Sequence, residues 1–234
     1  MSNEIDSENL TPAQIASHIQ HTKIEVGATR EAMIAHVEDA IKYGFSAAMV
    51  PGSWVPLTAS ILQGTGIEVA SALDFPTVGV MTSAGKAAEA AELVRLGATQ
   101  IDIGVQIGWL KSGMFDEFRE DIAGVVRASG VPIKVMLELP LLTEAEKELA
   151  VQLSMEAGVA YLKNASSGQI ETANPASIKY LVDRAKNGVL VKASGSIKHL
   201  SQARELIAAG ASLLGTSAGI EIISGLSNSE TKSY

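Results

Sequence analysis

The sequence alternates between short apolar runs and longer segments with helical periodicity, and this alternation restricts the fold more than any other feature. The apolar runs are rich in Val, Ile and Ala, and a Gly often follows the helical segment. Eight strand candidates cover residues 18–24, 45–50, 67–73, 100–105, 132–139, 159–163, 189–193 and 212–216. Strand and helix repeated eight times predict an α/β fold, a parallel (β/α)8 barrel wrapped by helices.

The chain length of 234 residues agrees with one barrel domain, because such barrels occupy about 200–250 residues. The alternative is an open doubly wound sheet, which would carry a Gly-rich phosphate loop where this chain has HTKIEVGATRE. A short extra helix is expected before the barrel, since Thr11 can cap it and Pro12 suits its first position. We expect a barrel over residues 11–226, with flexible termini at 1–10 and 227–234.

Composition excludes several classes of function. A net charge of −8 gives no basic field for nucleic acid or an anionic membrane surface. The absence of cysteine excludes disulfides, and no His and carboxylate cluster has metal-ligand spacing, so neither a metal nor a cofactor is expected. The start, MSNEIDSENL, lacks a signal pattern and no run approaches about 18 apolar residues, so we expect a cytoplasmic protein.

Charged residues fall on the predicted inward faces of four consecutive strands. Alternate residues of a barrel strand point inward, and the carboxyl ends of the strands carry the chemistry. The inward positions include Asp102, Lys134, Glu138, Lys163 and Lys192. A structural ion network is one interpretation, but buried lysines are rare, and we favour an active site.

Crowded lysines suit covalent chemistry with a carbonyl. A free lysine has a pKa near 10.4, so half-neutrality at pH 7 needs a pKa about 3.4 lower, roughly 4.6 kcal/mol. Burial and a neighbouring cation can supply this, and Lys192 is such a neighbour for Lys163. A neutral lysine forms a Schiff base with an aldehyde or ketone, and a carboxylate such as Asp102 would then manage the protons.

Five segments resemble, in order and spacing, the signature segments of the deoxyribose-phosphate aldolase family. They are IDIGVQIGWLKSG (101–113), KVMLELPLLTEAE (134–146), GVAYLKNASSG (158–168), VLVKASGSIK (189–198) and GASLLGTSAGIEII (210–223). The resemblance implies a class I aldolase on an α/β barrel, which joins acetaldehyde to glyceraldehyde 3-phosphate without a metal. It also implies that Lys163 forms the Schiff base, that Lys192 tunes it, and that Asp102 relays protons.

Several positions depart from the family pattern. The family usually has Lys-Thr-Ser-Thr-Gly, Gly-Gly, a serine pair and Asp-x-Thr in four places. This chain has Lys163-Asn164-Ala165-Ser166-Ser167-Gly168, Gly195-Ser196, Ser217-Ala218 and Gln20-His21-Thr22 at those places. In the family these positions contact the substrate hydroxyl and phosphate, so the choice of substrate stays open.

The loops after the last two strands predict a phosphate site. Backbone N–H groups and a helix N-terminus converge there in barrels, and small residues permit close approach. We expect the site to involve Gly195, Ser196, Gly215 and Ser217. The resemblance adds the substrate-contact candidates Ser166, Ser167 and Thr22, and it suggests the terminal Tyr234 as a proton carrier.

The leading hypothesis is a lyase that cleaves and forms 2-deoxy-D-ribose 5-phosphate through a lysine Schiff base. One alternative is a related Schiff-base aldolase acting on a different or non-phosphorylated aldehyde. Another is a catalytically inactive barrel with a binding role. The expected partner is a small aldehyde or sugar phosphate, not nucleic acid or a membrane, and the sequence is also compatible with a homo-oligomer.

Overall fold

The computed structural model describes residues 9–225. The flexible C-terminal tail expected at 227–234, with Tyr234, lies outside the described residues, as does the expected flexible N-terminus apart from residues 9 and 10.

Eight parallel strands close into a barrel in sequence order, and the first strand pairs with the last. The strands are Ile19–Thr22 (β1), Ala47–Met49 (β2), Glu68–Leu73 (β3), Gln100–Gly104 (β4), Ile133–Met136 (β5), Tyr161–Lys163 (β6), Leu190–Ser194 (β7) and Leu213–Thr216 (β8). The predicted (β/α)8 barrel is confirmed, and the open doubly wound sheet is excluded because the barrel closes.

Helices follow the strands and form the outer layer. Within residues 9–225 they are Pro12–Ala16 (α1), Arg30–Tyr43 (α2), Val55–Leu62 (α3), Ser83–Arg95 (α4), Ile107–Lys111 (α5), Phe115–Ser129 (α6), Glu144–Glu156 (α7), Pro175–Arg184 (α8), Leu200–Ala208 (α9) and Gly219–Ser224 (α10). Short 3-10 helices cover Gly52–Trp54 and Leu139–Leu141.

The helix ends follow from local sequence signals. The side chain of Thr11 accepts a hydrogen bond from the Gln14 backbone N–H, and the Gln14 side-chain oxygen accepts one from the Thr11 backbone N–H. The extra helix α1 therefore begins as predicted. Thr143 and Glu146 form the same capping box at α7. Helix α2 ends at Gly44, whose φ of 67° is the left-handed conformation that glycine adopts without strain.

The main hydrophobic core lies between the outer face of the barrel and the helices. Inside the barrel, β2 and β3 contribute a separate group of apolar side chains, Ala47, Met49 and Ala70, with Ala72 packed against it. The inward positions of β4 to β7 carry charged side chains that are also buried. The barrel interior is therefore asymmetric: apolar side chains come from β2 and β3, and charged side chains come from β4 to β7.

Candidate active site

Three lysines converge on the carboxylate of Asp102 inside the barrel. The Asp102 Oδ2 accepts hydrogen bonds from Lys192 Nζ at 2.7 Å and from Lys163 Nζ at 3.0 Å. Lys134 Nζ lies 3.4 Å from the other oxygen, Oδ1. Lys134 and Asp102 are fully buried, while Lys163 is 6% exposed and Lys192 is 1% exposed. Four of the five predicted inward residues therefore form one buried cluster, and only Glu138 lies outside it.

The strand register explains this convergence. Lys163 of β6 is the direct neighbour of Lys192 on β7, and Asp102 of β4 is the direct neighbour of Lys134 on β5. Neighbours in register point to the same side of a parallel sheet. The closed barrel then brings the two pairs together, since β5 and β6 are adjacent.

The cluster has one carboxylate for three amines, and the pKa values respond to this imbalance. Burial favours the protonated Asp102 carboxyl, but the surrounding lysines outweigh it and hold its pKa well below the usual range. Burial lowers the pKa of Lys192 far below its ordinary value, although Asp102 opposes this and the other lysines reinforce it. Burial also lowers the pKa of Lys134.

A pocket opens above this cluster at the carboxyl end of the strands. Asp102, Lys163 and Lys192 line its base. All seven residues predicted to contact the substrate also line it, namely Thr22, Ser166, Ser167, Gly195, Ser196, Gly215 and Ser217. The pocket thus unites the predicted reactive group with the predicted phosphate site.

The loops after β6 and β7 pack closely against one another beside the pocket. Gly195 has a φ of 119°, and a Cβ there would lie 2.0 Å from the backbone oxygen of Glu171. The Asn164 side chain joins the same loops, because its Nδ2 donates to Ser194 O at 2.9 Å and its Oδ1 accepts from Ser194 N at 2.9 Å. Asn164, a departure from the family pattern, therefore holds the chain next to Lys163 against β7.

Comparison with known proteins identifies the family. No model of a known protein family matches the sequence. A deoxyribose-phosphate aldolase from Methanothermobacter thermautotrophicus is 40% identical over 216 residues, which cover 92% of this chain and 96% of the relative. This chain belongs to the deoxyribose-phosphate aldolase family. A member from Staphylococcus carnosus is 35% identical over 212 residues, which cover 90% of this chain and 96% of the relative.

A solved structure extends this likeness to the fold. The tetrameric deoxyribose phosphate aldolase from Aeropyrum pernix matches with a TM-score of 0.83 and 28% identity, covering 92% of this chain and 91% of that one. The resemblance drawn from the sequence segments is confirmed, and with it the assignment to a family of lyases.

Two further residues of the sequence analysis lie beside the pocket but do not line it. The Lys134 amine lies 3.4 Å from Asp102 Oδ1 and 5.5 Å from the centre of the Tyr161 ring. Glu138 does not belong to the strand predicted over 132–139, because β5 ends at Met136. The chain turns at Glu138, which has a φ of 51°. Its Oε1 accepts a hydrogen bond from Ser166 N at 3.0 Å, so Glu138 supports the loop after β6.

The pocket also contains residues that the sequence analysis did not select. Lys198 and Phe75 are the most informative, and both line the pocket. Lys198 ends the segment VLVKASGSIK and adds a positive charge near Ser196. Phe75 follows Asp74 in the loop after β3.

A second buried charge cluster holds the loop that carries Phe75. Lys86 of α4 is fully buried, and its Nζ contacts Asp121 Oδ2 at 2.5 Å, Gly104 O at 3.0 Å and Asp74 Oδ2 at 3.3 Å. The Asp74 carboxylate also accepts hydrogen bonds from the backbone N–H groups of residues 79, 80 and 81. This cluster has two carboxylates for one amine, the opposite balance to that around Asp102.

The side chains and helices of residues 9–225 also bear on metal-dependent and membrane functions. No group of three or more His, Asp or Glu side chains there is arranged to hold a metal ion. Over the same residues, no helix has the length and apolar character needed to cross a membrane.

Proposed function

We propose that this protein is a class I aldolase that cleaves and forms 2-deoxy-D-ribose 5-phosphate through a Schiff base on Lys163. The observation that carries the proposal is the sharing of one Asp102 oxygen by the amines of Lys163 and Lys192 at the base of the pocket. The carboxylate thus holds Lys192, which can carry a proton, beside the amine of Lys163, which attacks a carbonyl in its neutral form.

Lys163 is the better nucleophile of the two lysines. It is the more exposed residue and lines the pocket, so a carbonyl carbon can reach its amine. Within residues 9–225, Lys163 Nζ has one hydrogen-bond partner, Asp102, whereas Lys192 Nζ has both Asp102 and Gln20. An amine held by two acceptors is suited to moving a proton, and an amine held by one is freer to form a bond.

In the cleavage direction, neutral Lys163 attacks C1 of the open-chain sugar. The resulting carbinolamine loses its oxygen as water after Lys192 donates a proton, and an iminium ion remains. The neutral Lys192 amine then accepts the proton of the C3 hydroxyl as the C2–C3 bond breaks. The electron pair of that bond forms an enamine, and glyceraldehyde 3-phosphate leaves.

Lys192 returns the proton of the C3 hydroxyl to C2 of the enamine. Water then hydrolyses the iminium ion, Lys192 takes up the proton that is released, and acetaldehyde and free Lys163 remain. Asp102 stays ionised throughout, because its lowered pKa keeps it a hydrogen-bond acceptor for both amines. It therefore orients the lysines and stabilises their charged forms, while Lys192 carries the proton.

The loops after β7 and β8, which line the pocket, suit a phosphate group. Lys198, Ser196 and Ser217 supply a cation and two hydroxyl groups, and the loop glycine Gly195 permits close approach. Among the described residues, Asp102 is the only carboxylate that lines the pocket, and the lysines outnumber it. An anionic substrate is therefore attracted, although the whole chain has a net charge of −8.

Turnover of matched substrates tests the proposal. We expect the purified protein to release acetaldehyde from deoxyribose 5-phosphate, with the rate unchanged by a metal chelator. We expect Lys163→Leu to abolish this activity, and Lys179→Leu, at an exposed helix position, to preserve it. Absence of turnover with any aldehyde would support the inactive barrel instead.

The departures from the family pattern favour a second candidate, the same chemistry on a different aldehyde. Ser196, which lines the pocket, and Asn164, which follows Lys163 and binds the Ser194 backbone, both differ from the family pattern. Equal kcat/KM for deoxyribose and deoxyribose 5-phosphate would contradict the phosphate site and support this candidate.

We also propose that the protein forms a homo-oligomer and acts in the cytoplasm. The tetramer of the Aeropyrum pernix relative supports assembly, and a chain without cysteine is compatible with a reducing compartment. Light scattering of the purified protein tests the first statement, with a monomer mass as the contradicting result. Fractionation of cells that express it tests the second.

A further inference from the structure

Gln20 of β1 contacts Lys192, the proposed proton carrier, inside the barrel. The residue is fully buried. Its Oε1 accepts a hydrogen bond from Lys192 Nζ at 2.6 Å, and its Nε2 donates to Gln100 Oε1 at 2.7 Å. Because Gln100 engages the amide nitrogen, the amide oxygen of Gln20 is the atom that faces Lys192.

These contacts restrict the directions in which Lys192 can exchange a proton. An ammonium group has three N–H directions in a tetrahedral arrangement. Gln20 Oε1 takes one and Asp102 Oδ2 takes another, at 2.6 and 2.7 Å. The third is the direction left for the pocket, which Lys192 lines. Gly215 of β8 leaves room there, because a Cβ on it would lie 3.0 Å from Lys192 Cε.

The neutrality of the Gln20 side chain matters as much as its position. The charged groups that face Lys192 are Asp102 from β4, Lys134 from β5 and Lys163 from β6. The residues opposite on β8, Leu213 and Gly215, bring no charge. A carboxylate on β1 would give Lys192 a second anionic partner. A neutral amide gives it an acceptor without adding charge.

We propose that Gln20 is a positioning residue for Lys192: its amide oxygen directs one N–H of Lys192 into the pocket, and its neutrality leaves the amine able to release that proton. This role rests on the aldolase function proposed above and assigns the departure at position 20 a part in it. Lys192 then donates a proton to the substrate, and takes one back, along the same N–H direction into the pocket. The lowered pKa of Lys192 agrees with this role, since burial and neighbouring lysines already disfavour its charged form.

The test is a direct titration of Lys192 in three variants. The 13Cε resonance of Lys192, assigned by its loss in Lys192→Met, is followed with pH. Gln20→Glu places a carboxylate on the amine, and we expect the transition to rise by about one to three pH units. Gln20→Met keeps the length and removes the acceptor, and we expect the transition to fall. Gln63→Glu adds the same charge at an exposed turn, and we expect no change.

Kinetics provide a second readout. We expect Gln20→Met to lower kcat with little change in KM, because substrate contacts are intact while proton transfer is misdirected. We expect the alkaline limit of kcat to move with the Lys192 transition in both variants. A structural role alone would reduce stability and leave the Lys192 transition in place.

The inference and the proposed function fail in distinguishable ways. If the Lys192 transition coincides in wild type, Gln20→Glu and Gln20→Met, the inference is wrong, even if the enzyme is active. If wild type never cleaves or forms a carbon–carbon bond, the proposed function is wrong, while the titration still reports the effect of Gln20. Gln20→Met is close to the wild-type volume, so the test remains decisive if Gln20→Glu does not fold.

Discussion

Replacing Asp102 with asparagine tests whether one carboxylate balances the lysines of the barrel interior. The wild-type carboxylate lies 2.7 Å from Lys192 Nζ, 3.0 Å from Lys163 Nζ and 3.4 Å from Lys134 Nζ. Asn keeps the shape and removes the charge. The variant therefore leaves up to three amines in a buried site with no anion in contact.

The magnitudes decide how the cluster responds. At an effective dielectric constant of about 20, each contact provides roughly 5 to 6 kcal/mol of Coulomb attraction. Neutralising a lysine at pH 7 costs only about 4.6 kcal/mol, because its ordinary pKa is near 10.4. Burial already disfavours the protonated forms of Lys134 and Lys192, and the asparagine would no longer oppose it, so we expect one lysine of the cluster to become neutral in the variant.

The sign of the pH dependence follows from proton counting. The folded variant binds one proton fewer than wild type, while the unfolded variant still binds it below about pH 10. The free energy of unfolding rises with pH where the unfolded state binds more protons. The stability deficit of Asp102→Asn relative to wild type should therefore shrink by about 1.4 kcal/mol per pH unit between about pH 7 and pH 9.

Urea unfolding at pH 7, 8 and 9 measures this deficit. Asp121→Asn is the matched control, because Lys86 keeps Asp74 at 3.3 Å when Asp121 loses its charge. We expect the control to lose stability by an amount that does not change with pH. A deficit of Asp102→Asn that is equally constant would refute the proposed charge balance.

Three further substitutions test other parts of the site. Lys192→Leu should lower kcat about 10²–10⁴-fold and still allow acetaldehyde to be trapped on Lys163 by borohydride; full turnover at neutral pH would exclude Lys192 from proton transfer. Lys198→Met should raise KM for deoxyribose 5-phosphate about tenfold or more and leave KM for deoxyribose unchanged, whereas equal effects on both would remove Lys198 from phosphate recognition. Gly195→Ala should lower the free energy of unfolding by about 1–3 kcal/mol in urea titrations, because its Cβ would strike Glu171 O at a φ of 119°; an unchanged value would show that the loop yields freely.

The fold and the centre of the site could be predicted from the sequence, because both depend on patterns that repeat within a few residues. The alternation of side chains along a strand places Asp102, Lys134, Lys163 and Lys192 inward, and the register of the barrel brings them together. The alternation holds only while the strand continues. Glu138 lies two residues beyond β5, where a φ of 51° ends the strand, so its side chain could not be assigned from the pattern.

Contacts between distant parts of the chain could not be predicted from the sequence. Gln20 and Lys192 are 172 residues apart, and they meet only because the barrel closes. Lys86 belongs to a helix, where lysine usually faces water, yet it is fully buried between Asp74 and Asp121. A buried lysine of this kind depends on acids from other elements, and nothing within its own helix indicates them.

Locating the trapped carbon on the chain tests the central claim most directly. The protein is reduced with borohydride in the presence of acetaldehyde and digested, and the peptide that carries the added ethyl group is identified by mass spectrometry. The account predicts the ethyl group on Lys163, and no adduct in Lys163→Leu. An ethyl group on Lys192 or Lys134 instead, or no adduct in the wild-type protein, would contradict it.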